Sequence, residues 1–312
     1  MECKPLGLPI LFSQKIQGKA KALHSNSFSL KIPLMPELPE VETIVRGLRR
    51  TILGKKIKNL KIFPSRVLYS SPAFLKRNLI HQRIQEISRR GKNIIIKLSS
   101  GDLLLIHLGM TGNLFYLNRP TLMGKHDHIE LEFSDRTHLR YGDIRKFGKF
   151  KLIKSSQAIK EDVLKTLGPE PLEISRDDFV QLLQKKKGRI KSVLLNQSII
   201  AGIGNIYADE ALFEAKIHPL QKVSDISRNR LIKLHQAIQK ILKKAIKAGG
   251  SSVDNYRDVN GETGFFQFYH KVYGREGEPC KRCGTKIKRI IINQRSTHFC
   301  PRCQKKSRGS KI

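Results

Sequence analysis

Acidic side chains are scarce in this chain: 26 Asp and Glu stand against 60 Lys and Arg, a formal charge of +34 with histidine neutral. A surface so poor in carboxylates is drawn onto polyanions; nucleic acid is the leading partner and an anionic membrane surface the rival. Long apolar runs are missing as well. No uninterrupted stretch approaches the ~20 apolar residues that a helix needs to cross a bilayer, and no lipid-anchor motif is present, so no membrane is expected as partner. Cysteine is sparse outside one place: of five, four are Cys280, Cys283, Cys300 and Cys303, and the fifth is Cys3. That distribution excludes a disulfide framework spread through the fold. The chain of 312 residues with 39% hydrophobic content is long enough for two domains with real cores. Charge alone does not separate a nucleic-acid binder from an enzyme, so the motifs must decide.

Residues 1–34 carry one acid, Glu2, and no clear periodicity, and they read as an extension that is disordered or absent from the active protein. Behind Pro39, residues Val41, Ile44, Val45 and Leu48 recur at helical spacing with acids in the first turn, which predicts a helix. The next hundred residues alternate as strands. Asn93 to Leu98 and Leu103 to Leu108 flank one hairpin, His128 to Phe133 and Thr137 to Tyr141 another, and an antiparallel sandwich or barrel is their natural packing. Leu167-Gly168-Pro169-Glu170-Pro171 breaks the pattern as a linker. Beyond it helices dominate: Leu231, Leu234, Ile238, Ile241 or Leu242, and Ala245 make one apolar face, with Ser227 as the expected cap and Gly249-Gly250 as the stop.

The cysteines form two Cys-x2-Cys pairs with sixteen residues between them, and from Cys280 to Ile312 there are eleven Lys or Arg and no acid. Each short knuckle offers two thiolates from one turn, and the hairpin between them brings the pairs together, which fits tetrahedral Zn2+. Four thiolates leave no open position for an activated water, so the zinc is read as structural and catalysis must be sought elsewhere.

Met35-Pro36-Glu37-Leu38-Pro39-Glu40-Val41-Glu42-Thr43 resembles the N-terminal signature of the formamidopyrimidine-DNA glycosylases. The resemblance runs on through Arg89-Arg90-Gly91-Lys92, His107-Leu108-Gly109-Met110-Thr111-Gly112, Lys125-His126-Asp127-His128 and Tyr141-Gly142-Asp143-Ile144-Arg145-Lys146-Phe147-Gly148. It continues through Gly202-Ile203-Gly204-Asn205-Ile206-Tyr207-Ala208 and Val272-Tyr273-Gly274-Arg275 into the cysteine hairpin. It implies an α+β chain: an N-terminal β-sandwich with flanking helices over 36–165, a linker at 166–172, a helix-two-turn-helix region over 173–270, a zinc-finger hairpin over 271–305 and a basic tail at 306–312. It also implies a bifunctional glycosylase of base excision repair. Such an enzyme removes 8-oxoguanine and ring-opened purines from double-stranded DNA, then cleaves the abasic site by β,δ-elimination.

Chemistry explains why a terminal proline matters. A free α-amine has a pKa of about 8, so part of it is neutral and nucleophilic near pH 7. A terminal proline is a secondary amine that can attack the sugar C1′ and form an iminium. Glu37 is the matching proton donor; the bare pattern of Pro36 and Glu37 before a helix reads first as helix initiation, and the resemblance reverses that order. The resemblance further implies that Lys92 contacts a phosphate and assists elimination, and that Arg295 serves the second elimination. It assigns backbone capture to His126, Arg145, Lys186 and Asn205, and filling of the gap left by the extruded base to Met110, Arg145 and Phe147. That last trio and Leu38 favour oxidised purines over the oxidised pyrimidines of the endonuclease VIII relatives. The loop from Tyr256 to Phe266 matches a lesion-covering loop in position.

The extension departs from this pattern. In the chain as written, the nitrogen of Pro36 is held in a tertiary amide with Met35, whose lone pair is delocalised and cannot form an iminium. The expectation is therefore an active form that begins at Pro36, acting as a monomer in the cytoplasm on nucleoid DNA.

Overall fold

The computed structural model describes residues 35–158, 162–253 and 256–306. The extension 1–34 and residues 307–312 of the basic tail lie outside the described residues. Helix α1 (Leu38–Ile52) buries Val41, Ile44, Val45, Leu48 and Ile52 on one face, the stripe read from the sequence. Its first turn is closed by the backbone N–H of Glu37, which donates to Glu40 Oε2 at 2.9 Å.

The strands are β1 (Ile57–Ile62), β2 (Ile84–Arg90), β3 (Asn93–Leu98), β4 (Leu103–His107), β5 (Gly112–Leu117), β6 (Asp127–Phe133), β7 (His138–Asp143) and β8 (Lys149–Ile153), with α2 (Pro72–Leu79) between the first two. They form two four-stranded antiparallel sheets, ordered β1-β6-β7-β5 and β2-β3-β4-β8. Alternating residues such as Ile94, Ile96, Leu104, Ile106, Leu131 and Leu139 point into one shared core with the apolar face of α1. This is a sandwich, which resolves the sandwich-or-barrel alternative.

Two short helices, α3 (Ser155–Ala158) and α4 (Asp162–Lys165), lead to α5 (Arg176–Gln184), α6 (Ile190–Leu195), α7 (Asn205–Glu214) and α8 (Arg228–Lys247). Leu231, Leu234, Ile238, Ile241, Leu242 and Ala245 of α8 are buried against Phe179, Leu183 and Leu212, forming a second core. Ser227 occupies the N-cap position of α8 but its side chain makes no capping bond, so that expected role is corrected: the turn is closed by the main chain, Leu231 N donating to Ser227 O at 3.0 Å. The stop at Gly249-Gly250 is as expected; both adopt positive φ, and Gly250 N donates back to Ala245 O at 2.9 Å. Strands β9 (Lys288–Ile292) and β10 (Arg295–Phe299) follow as a hairpin.

Two exchanges tie the cores together. Leu38, at the start of α1, packs into the helical core, while Tyr256 and Val259 pack into the sandwich core. Val259 fits because α1 has Gly47 there: a Cβ at that position would lie 2.4 Å from a Val259 methyl. The segment read as a linker is also tethered. Glu170 is buried and accepts from Arg89, Arg90 and the N–H of Gly91, and Arg90 donates to the carbonyls of Leu167 and Gly168.

Candidate active site

The turn between α6 and α7 is built by side chains that occupy its loose main-chain groups. Gln197 donates to Ile203 O and accepts from Gly202 N, and Asn196 accepts from Ser198 N. Gly202 stands at φ +83, and Leu38 N donates to its carbonyl at 3.1 Å. The amides of Ile206 and Tyr207 at the start of α7, which have no acceptor within the helix, thereby face the start of α1.

Glu37 fills that space. Its carboxylate accepts from Ile206 N at 2.9 Å and Tyr207 N at 3.4 Å, at the positive end of α7. Gly204 is required by this approach: a Cβ there would lie 2.2 Å from the Glu37 carboxyl carbon. Glu37 is 2% exposed. Burial raises its pKa above the usual carboxylate range, while Lys92 and the helix amides pull the other way. A carboxyl kept available in its protonated form beside buried Pro36 can deliver a proton.

Behind it lies a second carboxyl. Glu40 accepts from Tyr207 Oη, from Ser251 N at 2.7 Å and from Glu37 N at 2.9 Å. Burial and then the neighbouring Glu37 push it up to about 7. Lys92 follows Gly91 in the turn between β2 and β3 and is 7% exposed, so it is no solvated cationic edge. Burial lowers its pKa, reinforced by Arg295 and opposed by Glu37 and Glu40, so it shares one electrostatic cluster with all three. Adjacent Pro36 and Glu37, Lys92 and Arg295, from three distant places in the sequence, are thus gathered together.

Arg295 reaches this cluster from the hairpin. Asn293 and Gln294 both have positive φ, the signature of a tight two-residue turn, which leaves Arg295 exposed at the start of β10. The hairpin is tied to α6 and α7 by a buried ion pair: Lys191 Nζ donates to Asp209 at 2.6 Å, Thr297 Oγ1 at 2.8 Å and Ser296 O at 3.1 Å. Asp209 also accepts from His298 N at 2.8 Å, and Asn205 Nδ2 donates to Ser296 O at 2.9 Å.

The other expected residues form a second group. Met110 lies in the turn between β4 and β5, Arg145 and Phe147 in the loop between β7 and β8, and the two loops touch: a Cβ on Gly109 would lie 2.6 Å from Gly148 N. The Arg145 guanidinium lies 4.8 Å from the Phe147 ring centroid. Exposed His126 joins them through its carbonyl, which accepts from Asp143 N at 2.9 Å. Lys186 is half-buried just beyond α5, outside both groups.

Several members were not foreseen individually. His107 stands beside Lys92 and Lys149, and burial followed by these two cations lowers it to about 4. Tyr273 packs edge-on against His298 at 5.0 Å. Both lie in quoted motifs, His107-Leu108-Gly109-Met110 and Val272-Tyr273-Gly274-Arg275, which was the available signal. Glu40 and Tyr207 likewise lie in quoted motifs, Met35 to Thr43 and Gly202 to Ala208, whereas the Lys191–Asp209 pair lies in none and had no such signal.

The four cysteine sulfurs lie within 4.8 Å of one another, with Cys280 Sγ 4.0 Å from Cys303 Sγ and Cys283 Sγ 3.5 Å from Cys300 Sγ. A tetrahedral Zn2+ with bonds of about 2.3 Å spaces its sulfurs by about 3.8 Å, so the residues fit the ion. The N–H groups of Arg282 and Cys303 donate to Cys280 Sγ and Cys300 Sγ, each at 3.4 Å, as thiolates require. The hairpin thus carries one structural zinc, held by Cys280, Cys283, Cys300 and Cys303.

Comparison with known proteins agrees in all three parts. The formamidopyrimidine-DNA glycosylase N-terminal domain matches residues 35–150, the H2TH domain of the same glycosylases 167–257, and the zinc finger found in FPG and IleRS 277–306. The formamidopyrimidine-DNA glycosylase of Solibacter usitatus is 49% identical over 273 residues, covering 87% of this chain and 100% of that one. That of Ligilactobacillus salivarius is 42% identical, covering 86% and 99%. Among solved structures, Lactococcus lactis Fpg in complex with DNA containing an abasic site superposes with a TM-score of 0.81 at 40% identity, covering 86% of this chain and 100% of that one. MutM in complex with DNA containing carbocyclic 8-oxo-G gives 0.80 at 41% identity, covering 87% and 100%. This chain belongs to the formamidopyrimidine-DNA glycosylase family.

Proposed function

We propose that this enzyme, a bifunctional DNA glycosylase and abasic-site lyase acting on oxidised purines, runs its chemistry from Pro36. The nitrogen of Pro36, once freed from Met35, attacks C1′ of the damaged nucleotide and the base leaves. The iminium then allows β- and δ-elimination, leaving a one-nucleotide gap. Glu37 protonates the opening sugar and moves protons in the later steps. Lys92 holds the adjoining phosphate and assists elimination, and Arg295 serves the second elimination. His126, Arg145, Lys186 and Asn205 capture the backbone, and Met110, Arg145 and Phe147 fill the gap. The observation that carries this reading is the seating of Glu37 on the α7 amides beside Pro36 and Lys92, a buried acid held where the nucleophile begins.

This reading gives the chain two DNA-gripping parts, a sandwich over 36–165 and a helical part over 173–270, with the zinc hairpin over 271–305. The protein acts as a monomer in the cytoplasm, on nucleoid DNA. No helix among the described residues is long and apolar enough to cross a membrane. The test is a pair of end-labelled duplexes, one with 8-oxoguanine and one with an oxidised pyrimidine, given to protein that begins at Pro36. The reading expects base loss and doubly phosphorylated gap ends on the purine duplex. Preference for the pyrimidine would replace the substrate assignment, and lesion binding without cleavage would make the chain a binder.

A further inference from the structure

The loop that carries Arg145 and Phe147 is fixed at its base. Asp143 Oδ1 accepts from Thr111 Oγ1 and from Arg145 N at 3.2 Å, Asp143 Oδ2 accepts from Gly148 N at 2.8 Å, and Asp143 O pairs with His128 Nε2 at 2.9 Å. These bonds clamp the two ends and leave the crown, residues 145–147, projecting. Phe147 is 48% exposed. Lys146 adopts φ +58, a left-handed conformation that a lysine keeps only when its surroundings hold it.

The crown is held by a residue from elsewhere. Arg66 Nη2 donates to Arg145 O at 2.7 Å and Arg66 Nε to Lys146 O at 3.0 Å, while its guanidinium lies 5.3 Å from the Phe147 ring centroid. Two successive carbonyls and one aromatic ring are thus engaged by one planar fork. A lysine cannot reproduce this, having neither a planar face nor two N–H groups in fixed directions. The mount is firm: Phe150 N donates to Val67 O at 2.8 Å and Tyr69 N to Phe150 O at 2.9 Å, anchoring the main chain beside Arg66 to β8.

We propose that Arg66 is the positioning residue of the wedge: it holds residues 145–147 in the conformation that enters the duplex, and so favours extrusion of the lesion without touching it. This rests on the reading that Met110, Arg145 and Phe147 fill the gap. An exposed loop that had to be ordered during insertion would lose binding energy to that ordering; a loop ordered beforehand does not.

The absence of tryptophan from the chain supplies a clean reporter. In the zinc-loaded full chain, Phe147→Trp places a single tryptophan, excited apart from the tyrosines, on the crown. Adding Arg66→Ala should raise its acrylamide quenching and lower its anisotropy, and Arg66→Lys should do the same. Without the reporter, Arg66→Ala should weaken binding to an 8-oxoguanine duplex about tenfold, or about 1.4 kcal/mol, and binding to a duplex with a tetrahydrofuran abasic analogue much less. Arg66→Lys should not rescue the difference. Unchanged fluorescence would overturn the proposal, as would equal losses on both duplexes with rescue by lysine, which would make Arg66 a phosphate contact. If the parent chain binds damaged and undamaged duplexes alike, the gap-filling reading fails, and the fluorescence still decides whether Arg66 orders the loop.

Discussion

The acid corner and the wedge are built on opposite principles. Glu37 is 2% exposed, and Phe147 is 48% exposed. Around Glu37, donors come from α7, a cation from the turn after β2 and a second carboxyl from α1, so the group is fixed before any DNA arrives. The wedge is clamped at its base and braced at its crown by Arg66, with its ring left in solvent. The difference follows from what each must do. A proton donor works through its pKa, which burial and fixed dipoles set, whereas a side chain that enters a base stack must be free of the protein's own core.

The comparison is broken most severely at Glu37. Glu37→Gln keeps an acceptor for the α7 amides but has no proton to give, and should slow base release by about 10²- to 10⁴-fold. Strand cleavage at a preformed abasic site should fall less, and single-turnover assays on the two substrates separate these effects. The zinc hairpin comes next, because it carries Arg295 to the acid corner. Cys300→Ser should lose stoichiometric zinc by elemental analysis and weaken DNA binding about tenfold, or about 1.4 kcal/mol, while the sandwich and its circular dichroism persist. On the wedge side, Met110→Ala should slow excision of 8-oxoguanine by about tenfold, since unstacking a base costs a few kcal/mol. It should leave cleavage at an abasic site nearly unchanged; equal losses would make Met110 a core residue.

The smallest effect is thermodynamic and confined to the acid corner. Glu40 has a folded-state pKa raised from 4.5 to about 7. The folded protein therefore holds this proton more tightly than the unfolded chain. The stability that it contributes is fully present below about pH 4.5 and is lost as pH rises through about 7. Between pH 5 and 8 the melting temperature of the parent should fall more steeply than that of Glu40→Gln, by scanning calorimetry. Parallel curves would mean that Glu40 is ionised throughout, held so by its three donors.

How much of this was legible in the sequence also differs between the two regions. The hairpin periods of Asn93 to Leu98 and His128 to Phe133, the stripe of α8 and the zinc spacing are local patterns, and each is present in the fold. Pro36 and Glu37 were legible through motif and amine chemistry. The seat of Glu37 was not, because its amide partner Ile206 is 169 residues away and no period records such a contact. Lys92, just past Arg89, Arg90 and Gly91, was legible only through the resemblance; the fold alone shows Arg89 and Arg90 consumed by Glu170 and Lys92 buried. Arg66 carried no signal at all, since its partners are the carbonyls of Arg145 and Lys146, and main-chain acceptors leave no trace in residue type.

The most direct test of the central claim is borohydride reduction during turnover on an 8-oxoguanine duplex, followed by mapping of the cross-linked peptide. In protein beginning at Pro36, the account predicts one covalent DNA adduct on the Pro36 nitrogen, and none in protein verified by mass to retain Met35 and the residues before it. Trapping at a lysine such as Lys92, or efficient trapping at Pro36 while Met35 is still attached, would contradict it.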